Sequence, residues 1–111
     1  MSKYGARKTT VDNIKFDSRA EAAYYSKLKL LKQGKQIKDF ECQPEFQLLP
    51  PFRKGKKAYR GIKYVADFRI EHLDGSIEIV DVKGVKTSVY QLKRQLFESM
   101  YPDLTITEVS A

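Results

Sequence analysis

The sequence predicts an α/β domain in the order helix, strand, strand, strand, helix, strand, with a mixed central sheet flanked by two helices. Three observations predict it. An apolar-periodic stretch with a cap begins at Ser18; two strand-like runs meet at Asp74-Gly75 within residues 64–84, YVADFRIEHLDGSIEIVDVKG; and a second helical stretch, SVYQLKRQLFESMY, is followed by a last strand over residues 104–109. At 111 residues the chain, 1–111, forms one domain, without internal repeats or low-complexity segments.

Residues 1–16 set Lys3, Arg7, Lys8 and Lys15 against one acid, Asp12, and hold no apolar block. Residues 9–16, turning at Asp12-Asn13, make a short hairpin or else a basic arm. The first helix then opens with Ser18 and Glu21 in capping-box spacing, carries Tyr24, Tyr25, Leu28 and Leu31 on one stripe, and stops at Gly34. Glu21 has two readings. Its carboxylate either reaches back to the backbone of Ser18 or, lying on the same stripe as Tyr24 and Leu28, presents an acid inward.

Residues 37–49 alternate Phe40, Cys42, Phe46 and Leu48, so they form a strand that bends or lies at an edge at Pro44, which has no N–H to give a ladder. After Pro50-Pro51 comes PFRKGKKAYRGIKY, where Arg53, Lys54, Lys56, Lys57, Arg60 and Lys63 interleave with Phe52, Tyr59 and Tyr64 and no acid appears. Such a run reads as a solvated loop, and one that leads into an acid-bearing strand is expected to contact phosphate as well.

Within residues 64–84, Asp67 falls on the first strand and Asp81 and Lys83 on the second. Asp81 and Lys83 are two apart and share a face, while Val80 and Val82 point to the core. Paired carboxylates suit Mg²⁺, and a neighbouring ammonium can orient or deprotonate water. The same triplet also occurs as surface acids with a lysine partner. The turn decides whether the acids meet. A two-residue Asp74-Gly75 turn sets Asp67 opposite Val82, on the wrong face. A three-residue loop, Leu73-Asp74-Gly75, closed by His72 and Ser76 with Gly75 left-handed, pairs Asp67 with Asp81 and Val65 with Lys83. A metal site requires the second.

The second helix, residues 88–101, is expected to bury Val89, Leu92, Leu96 and Met100 with Phe97 and to end before Pro102. Its other positions hold Gln91 and Lys93, which read either as a solvated face or as groups reaching a phosphate.

A net charge of +7 and a pI near 9.5 point to an anionic partner, foremost nucleic acid. No apolar run approaches the roughly 20 residues of a membrane span, and MSKYGARKTT lacks a signal-peptide hydrophobic region, so a cytoplasmic location is expected. One cysteine, Cys42, and one histidine, His72, exclude an internal disulfide and a Cys/His zinc site; Cys42 reads as a packing residue and His72 as a surface one.

The element order, with acids at the first helix and second strand and acid-x-lysine on the third, resembles the restriction-endonuclease-like core, αβββαβ, of the PD-(D/E)xK superfamily. GARKTTVDNIKFDSRAEAAYYSKL, YVADF, DVKG and the helix around Tyr90-Gln91-Leu92-Lys93 are similar to a phage and prophage endonuclease-like family related to Holliday junction resolvases. The resemblance implies that Asp67 and Asp81 bind Mg²⁺, with Mn²⁺ able to substitute, helped by the backbone carbonyl of Val82. It implies that Lys83 handles the attacking water and that Glu21 holds a second cation or a water. Ala66 stands where the motif has proline, and Asp81 where glutamate is commoner. The expected function is a Mg²⁺-dependent DNA endonuclease in the bacterial host cytosol, a resolvase for branched DNA acting as a homodimer. The alternative is a non-catalytic DNA-binding module of a phage replication or packaging complex.

Overall fold

The structure, a computed structural model, describes residues 8–111, so Lys3 and Arg7 of the expected basic arm lie outside the described residues. Its elements are β1 (Thr9–Val11), β2 (Ile14–Phe16), α1 (Arg19–Gln33), β3 (Asp39–Cys42), β4 (Glu45–Leu49), β5 (Phe52–Lys54), β6 (Lys57–Tyr59), β7 (Ile62–Val65), β8 (Phe68–Glu71), β9 (Ile77–Lys83), α2 (Ser88–Met100) and β10 (Ile106–Ser110).

Residues 9–16 form the hairpin β1–β2, with Asp12 and Asn13 both left-handed (φ 52° and 65°), as in a mirror-image two-residue turn. Asp12 ties this hairpin to α1 by accepting from the Tyr25 hydroxyl at 2.8 Å and the Lys29 ammonium at 2.5 Å. Ser18 caps α1, its Oγ accepting from the Glu21 N–H at 3.1 Å. The expected stop at Gly34 is one residue early in its chemistry. Gly34 keeps φ −81°, and Lys35 takes the left-handed conformation (φ 57°), letting the Gln36 N–H reach the Leu31 carbonyl at 2.8 Å.

The central sheet has four strands in the order β10-β9-β8-β3, with β10 parallel to β9 and the other pairs antiparallel. Taken with the helices, α1, β3, β8, β9, α2 and β10 reproduce the expected helix–strand order. Successive residues of β9 serve opposite cores. Val80 joins Phe68, Ile70, Phe16, Tyr25 and Leu28 of the α1 side, with Cys42 packed against them, while Ile79 joins Phe97, Tyr90, Ile106 and Tyr64 of the α2 side.

The strand expected over residues 37–49 does break at Pro44, where Gln43 is left-handed (φ 55°) and the chain passes from β3, an edge of the central sheet, to β4. The register does not change across the break. Cys42 pairs with Phe68 and Glu45 with Val65, and between them the Gln43 N–H donates to the Asp67 carbonyl (2.8 Å) and the Ala66 N–H to the Pro44 carbonyl (3.1 Å). One kinked antiparallel ribbon therefore leaves the sheet through β4 and β7 and ends in β5 and β6.

This corrects the reading of residues 51–64 as a loop. They are largely β-ribbon, turned at Gly55 (φ 62°) and Lys56. Every residue of β5 and β6 is exposed, so no buried alternation marks the strands in the sequence. Gly61 lets the ribbon cross itself closely: a Cβ there would lie 2.6 Å from the Leu49 carbonyl oxygen.

The core stripe expected for α2 is also corrected. Val89, Leu92, Leu96 and Met100 are exposed, at 62%, 58%, 37% and 47%, and the helix instead buries Tyr90 and Phe97. Beneath it β4 and β7 offer rings, and Phe97 meets Phe46 edge-on at 4.9 Å and Tyr64 at 5.4 Å between centroids. An aromatic face buries more area per residue than an aliphatic one, so it wins the core. Thr87 caps α2 through the Tyr90 N–H at 3.1 Å. Among the described residues no helix is long and apolar enough to cross a membrane.

Candidate active site

The hairpin loop is the odd one that a metal site requires. The His72 N–H donates to the Ser76 carbonyl at 2.9 Å, Gly75 is left-handed (φ 87°), and Phe68 pairs with Val80. The paired register ends there; just beyond it the Asp67 N–H donates to the Val80 carbonyl at 3.1 Å, and the carboxyl groups of Asp67 and Asp81 face one another. Two details differ from expectation. Asp67 sits in a bend just before β8, not within the strand, and Val65 pairs with Glu45, not with Lys83. Both follow from the ribbon peeling away from β9 at Ala66. The edge of β9 beyond Val80 thereby loses its strand partner, and the Val82 N–H donates to Asp67 Oδ2 at 2.6 Å. By strand alternation the Val82 carbonyl faces the same side.

Asp81 is 1% exposed. Its Oδ1 lies 3.1 Å from the Lys83 ammonium, and its Oδ2 accepts a short hydrogen bond from the Tyr64 hydroxyl. Burial, then that bond, raise the Tyr64 hydroxyl well above its ordinary pKa. Asp67 is pushed above the usual carboxylate range, first by burial, then by the charges of Asp81 and Glu21, against the pull of the Val82 N–H. Glu21, 4% exposed, is raised by burial and by Asp17, and it feels Asp81 and Lys83 in opposite directions. The backbone of Asp17 pulls it the other way. Its burial accords with the reading of Glu21 as an acid presented inward.

Glu21 and Asp81 are buried and Asp67 half-buried, the three carboxyl groups gather near the Lys83 ammonium, and their oxygens with the Val82 carbonyl are the hard donors a divalent cation takes. Among the described residues no three acid, histidine or cysteine side chains already stand at metal-holding distances. Asp81 is instead engaged by Lys83 and Tyr64, so a cation would have to share or displace these partners. The donor chemistry fits Mg²⁺.

One protein family, described as protein of unknown function (DUF1064), matches residues 1–111. The chain belongs to the DUF1064 family. No curated protein and no solved structure matches it.

Three groups at the site of this DUF1064 chain escape a reading of the sequence: Tyr64, Tyr90 and Glu108. Tyr64 precedes Asp67 by three and reads as one of the aromatics of the basic run. Glu108 becomes a neighbour of Asp81 only through the parallel register of β10 with β9. Glu108 is held down at about 2 by Lys86, Tyr90 and Arg94.

The remaining expected residues lie apart from the acids. Among the described residues, Arg53, Lys54, Lys56, Lys57 and Arg60 have no acid at ion-pair distance, whereas Lys63 meets Glu45 at 2.9 Å. Lys54 and Lys57 are directly opposed across the ribbon, a like-charge pair that weakens it. On their face Phe52 and Tyr59 stack at 4.6 Å, with the Lys57 ammonium 4.7 Å above the Tyr59 ring. Gln91 lines a polar cleft with Lys86, Arg94 and Glu108 and donates to the Lys86 carbonyl at 3.4 Å; Lys93 lines a groove with Ile62 and Leu92 at the base of the ribbon. Neither hydrogen-bonds an acid of the site.

Proposed function

We propose that the chain is a Mg²⁺-dependent DNA endonuclease of the PD-(D/E)xK kind, selective for branched DNA. The observation that carries this reading is the meeting of Asp67, Asp81, Lys83 and Glu21 where β8 parts from β9, with a basic ribbon extending from the same kink. A bound Mg²⁺, held by Asp67, Asp81, Glu21 and the Val82 carbonyl, would polarise the phosphate and acidify a water. The chain's own groups do the rest. Asp67 and Asp81 fix the cation's place, and Tyr64 orients Asp81. The Lys83 ammonium offsets charge gathering on the phosphate as water oxygen bonds to phosphorus and the P–O bond to the leaving strand breaks. The ribbon's lysines and arginines grip phosphates on either side.

A symmetric cut of two strands carries a homodimer with it, one site per subunit. A second reading, a DNA-binding module that never cuts, is favoured by the engagement of both Asp81 oxygens by protein groups. Incubating the protein with labelled four-way junction, flap and linear duplex in Mg²⁺, Mn²⁺ or EDTA separates the two. Metal-dependent cleavage, strongest on branched DNA, is expected. Tight binding without cleavage of any substrate in either metal selects the second reading.

The ribbon's part is tested separately. Lys56→Ala combined with Lys57→Ala is expected to weaken binding to every DNA and to reduce the slope of log K against log salt by about 1–2. An unchanged slope in salt-dependent binding titrations removes the ribbon from the interface.

A further inference from the structure

Lys83 sits at the end of β9, and a lysine there has four side-chain torsions to fix before its ammonium is useful. Freezing such a side chain costs rotamer entropy. Two contacts fix this one. Its Nζ lies 3.1 Å from Asp81 Oδ1 and 4.2 Å from the centre of the Tyr90 ring. Tyr90 is 7% exposed and is itself held from behind, its hydroxyl donating to Glu108 Oε2 at 2.8 Å. Glu108 in turn meets Lys86 at 2.9 Å and Arg94 at 2.8 Å. Because β10 runs parallel to β9 with Glu108 beside Asp81, this anchor is built on the same sheet row as the acid it serves. Glu108 thus gathers three donors on one carboxylate, two cations and the hydroxyl of a buried ring.

We infer that Tyr90 is a positioning residue that sets the Lys83 ammonium over the site by a cation–π contact, with Glu108 as the anchor of its ring. The contact is inward-facing and partly desolvated, where such pairs are strongest. The catalytic consequence rests on the nuclease reading; the placement of Lys83 does not.

Reductive ¹³C-dimethylation keeps lysines charged and gives each a resonance, with the Lys83 signal assigned by its loss in Lys83→Arg. In the wild type that signal is expected to be displaced upfield by the Tyr90 ring current. Tyr90→Phe, which keeps the ring, retains most of the displacement; Tyr90→Leu abolishes it; Glu108→Gln, a milder change on a partly exposed residue, reduces it. Cleavage in Tyr90→Leu is expected to fall about tenfold in kcat with KM for DNA unchanged, and Tyr90→Phe to recover most of that loss. A Lys83 resonance that is the same in wild type, Tyr90→Leu and Glu108→Gln overturns the inference. Should Tyr90→Leu fail to fold, the Glu108→Gln and Tyr90→Phe spectra still decide it. A wild type that cuts nothing sinks the nuclease reading, while the resonances judge the placement of Lys83 independently.

Discussion

Asp81→Asn and Lys83→Ala are each expected to lower single-turnover cleavage by about 10³-fold or more while leaving DNA affinity within a few-fold of wild type. The two readouts separate because the parts are separate in the fold. The unpaired cations that would hold DNA are on the β5–β6 ribbon, beyond the kink at Pro44 and Ala66, and Asp81 is 1% exposed beneath it. Asn at position 81 has nearly the shape of Asp and still offers an oxygen to the Tyr64 hydroxyl, so the core around Phe97 and Ile79 need not move. What it lacks is the charge that pairs with Lys83 and draws a cation. Lys83→Ala is the rougher change, since it strips the Asp81 carboxylate of its ammonium, and its fold must be checked by circular dichroism. Binding is measured in Ca²⁺ by gel shift and cleavage in Mg²⁺ by quench. If both variants cut at the wild-type rate, the acids and lysine are structural and the nuclease reading fails. If both lose binding as strongly as cleavage, the site contributes to the grip and the separation of roles is wrong.

The parts of this fold that were legible in the sequence are those whose signal is local. Ser18 and Glu21 announce the start of α1, Asp12-Asn13 the first hairpin, and Pro44 the kink, because each acts through its own backbone or that of a near neighbour. The Leu73-Asp74-Gly75 loop was legible too, though conditionally: the two possible loop lengths differ by which face Asp67 takes, and only the function argued for one. The misread parts depend on what lies opposite. The α2 sequence offers two faces, aliphatic along Val89, Leu92, Leu96 and Met100, aromatic along Tyr90, Phe97 and Tyr101. Periodicity alone ranks the aliphatic one as core, whereas the rings of Phe46 and Tyr64 on β4 and β7 select the other. The ribbon was hidden because a two-stranded arm with both faces in solvent buries nothing and so leaves no alternation to read. Tyr64 and Glu108 became site residues through pairings at long range, Tyr64 with Asp81 across seventeen positions and Glu108 through a parallel crossover.

Asp67→Asn is expected to make the metal-free protein more stable and the protein in Mg²⁺ relatively less so. The amide keeps an oxygen for the Val82 N–H at 2.6 Å, and its nitrogen can donate toward Asp81, so the local bonding survives. One of three clustered carboxyl groups that repel one another when charged is gone. A gain on the order of 1 kcal/mol, about 4–8 °C in Tm for a domain of this size, follows. The pH dependence has a definite sign. Asp67 and Glu21 bind protons more tightly in the folded chain than in the unfolded one. Between the ordinary carboxylate pKa near 4 and their raised folded values, the folded state therefore holds more protons, and stability falls as pH rises through that window. Wild-type Tm in EDTA should decline from mildly acid to mildly alkaline pH, more steeply than that of Asp67→Asn. Mg²⁺ should reverse the order, because a cation bound only by the folded wild type stabilises it by about 2.7 kcal/mol at a hundred times its Kd. The asparagine variant, short of a ligand charge, should respond little. Calorimetry at three pH values, with and without Mg²⁺, reads all of this without any DNA. A wild type whose Tm ignores Mg²⁺ while Asp67→Asn is destabilised in EDTA would mean that Asp67 serves to cap the Val82 edge of β9 and holds no metal.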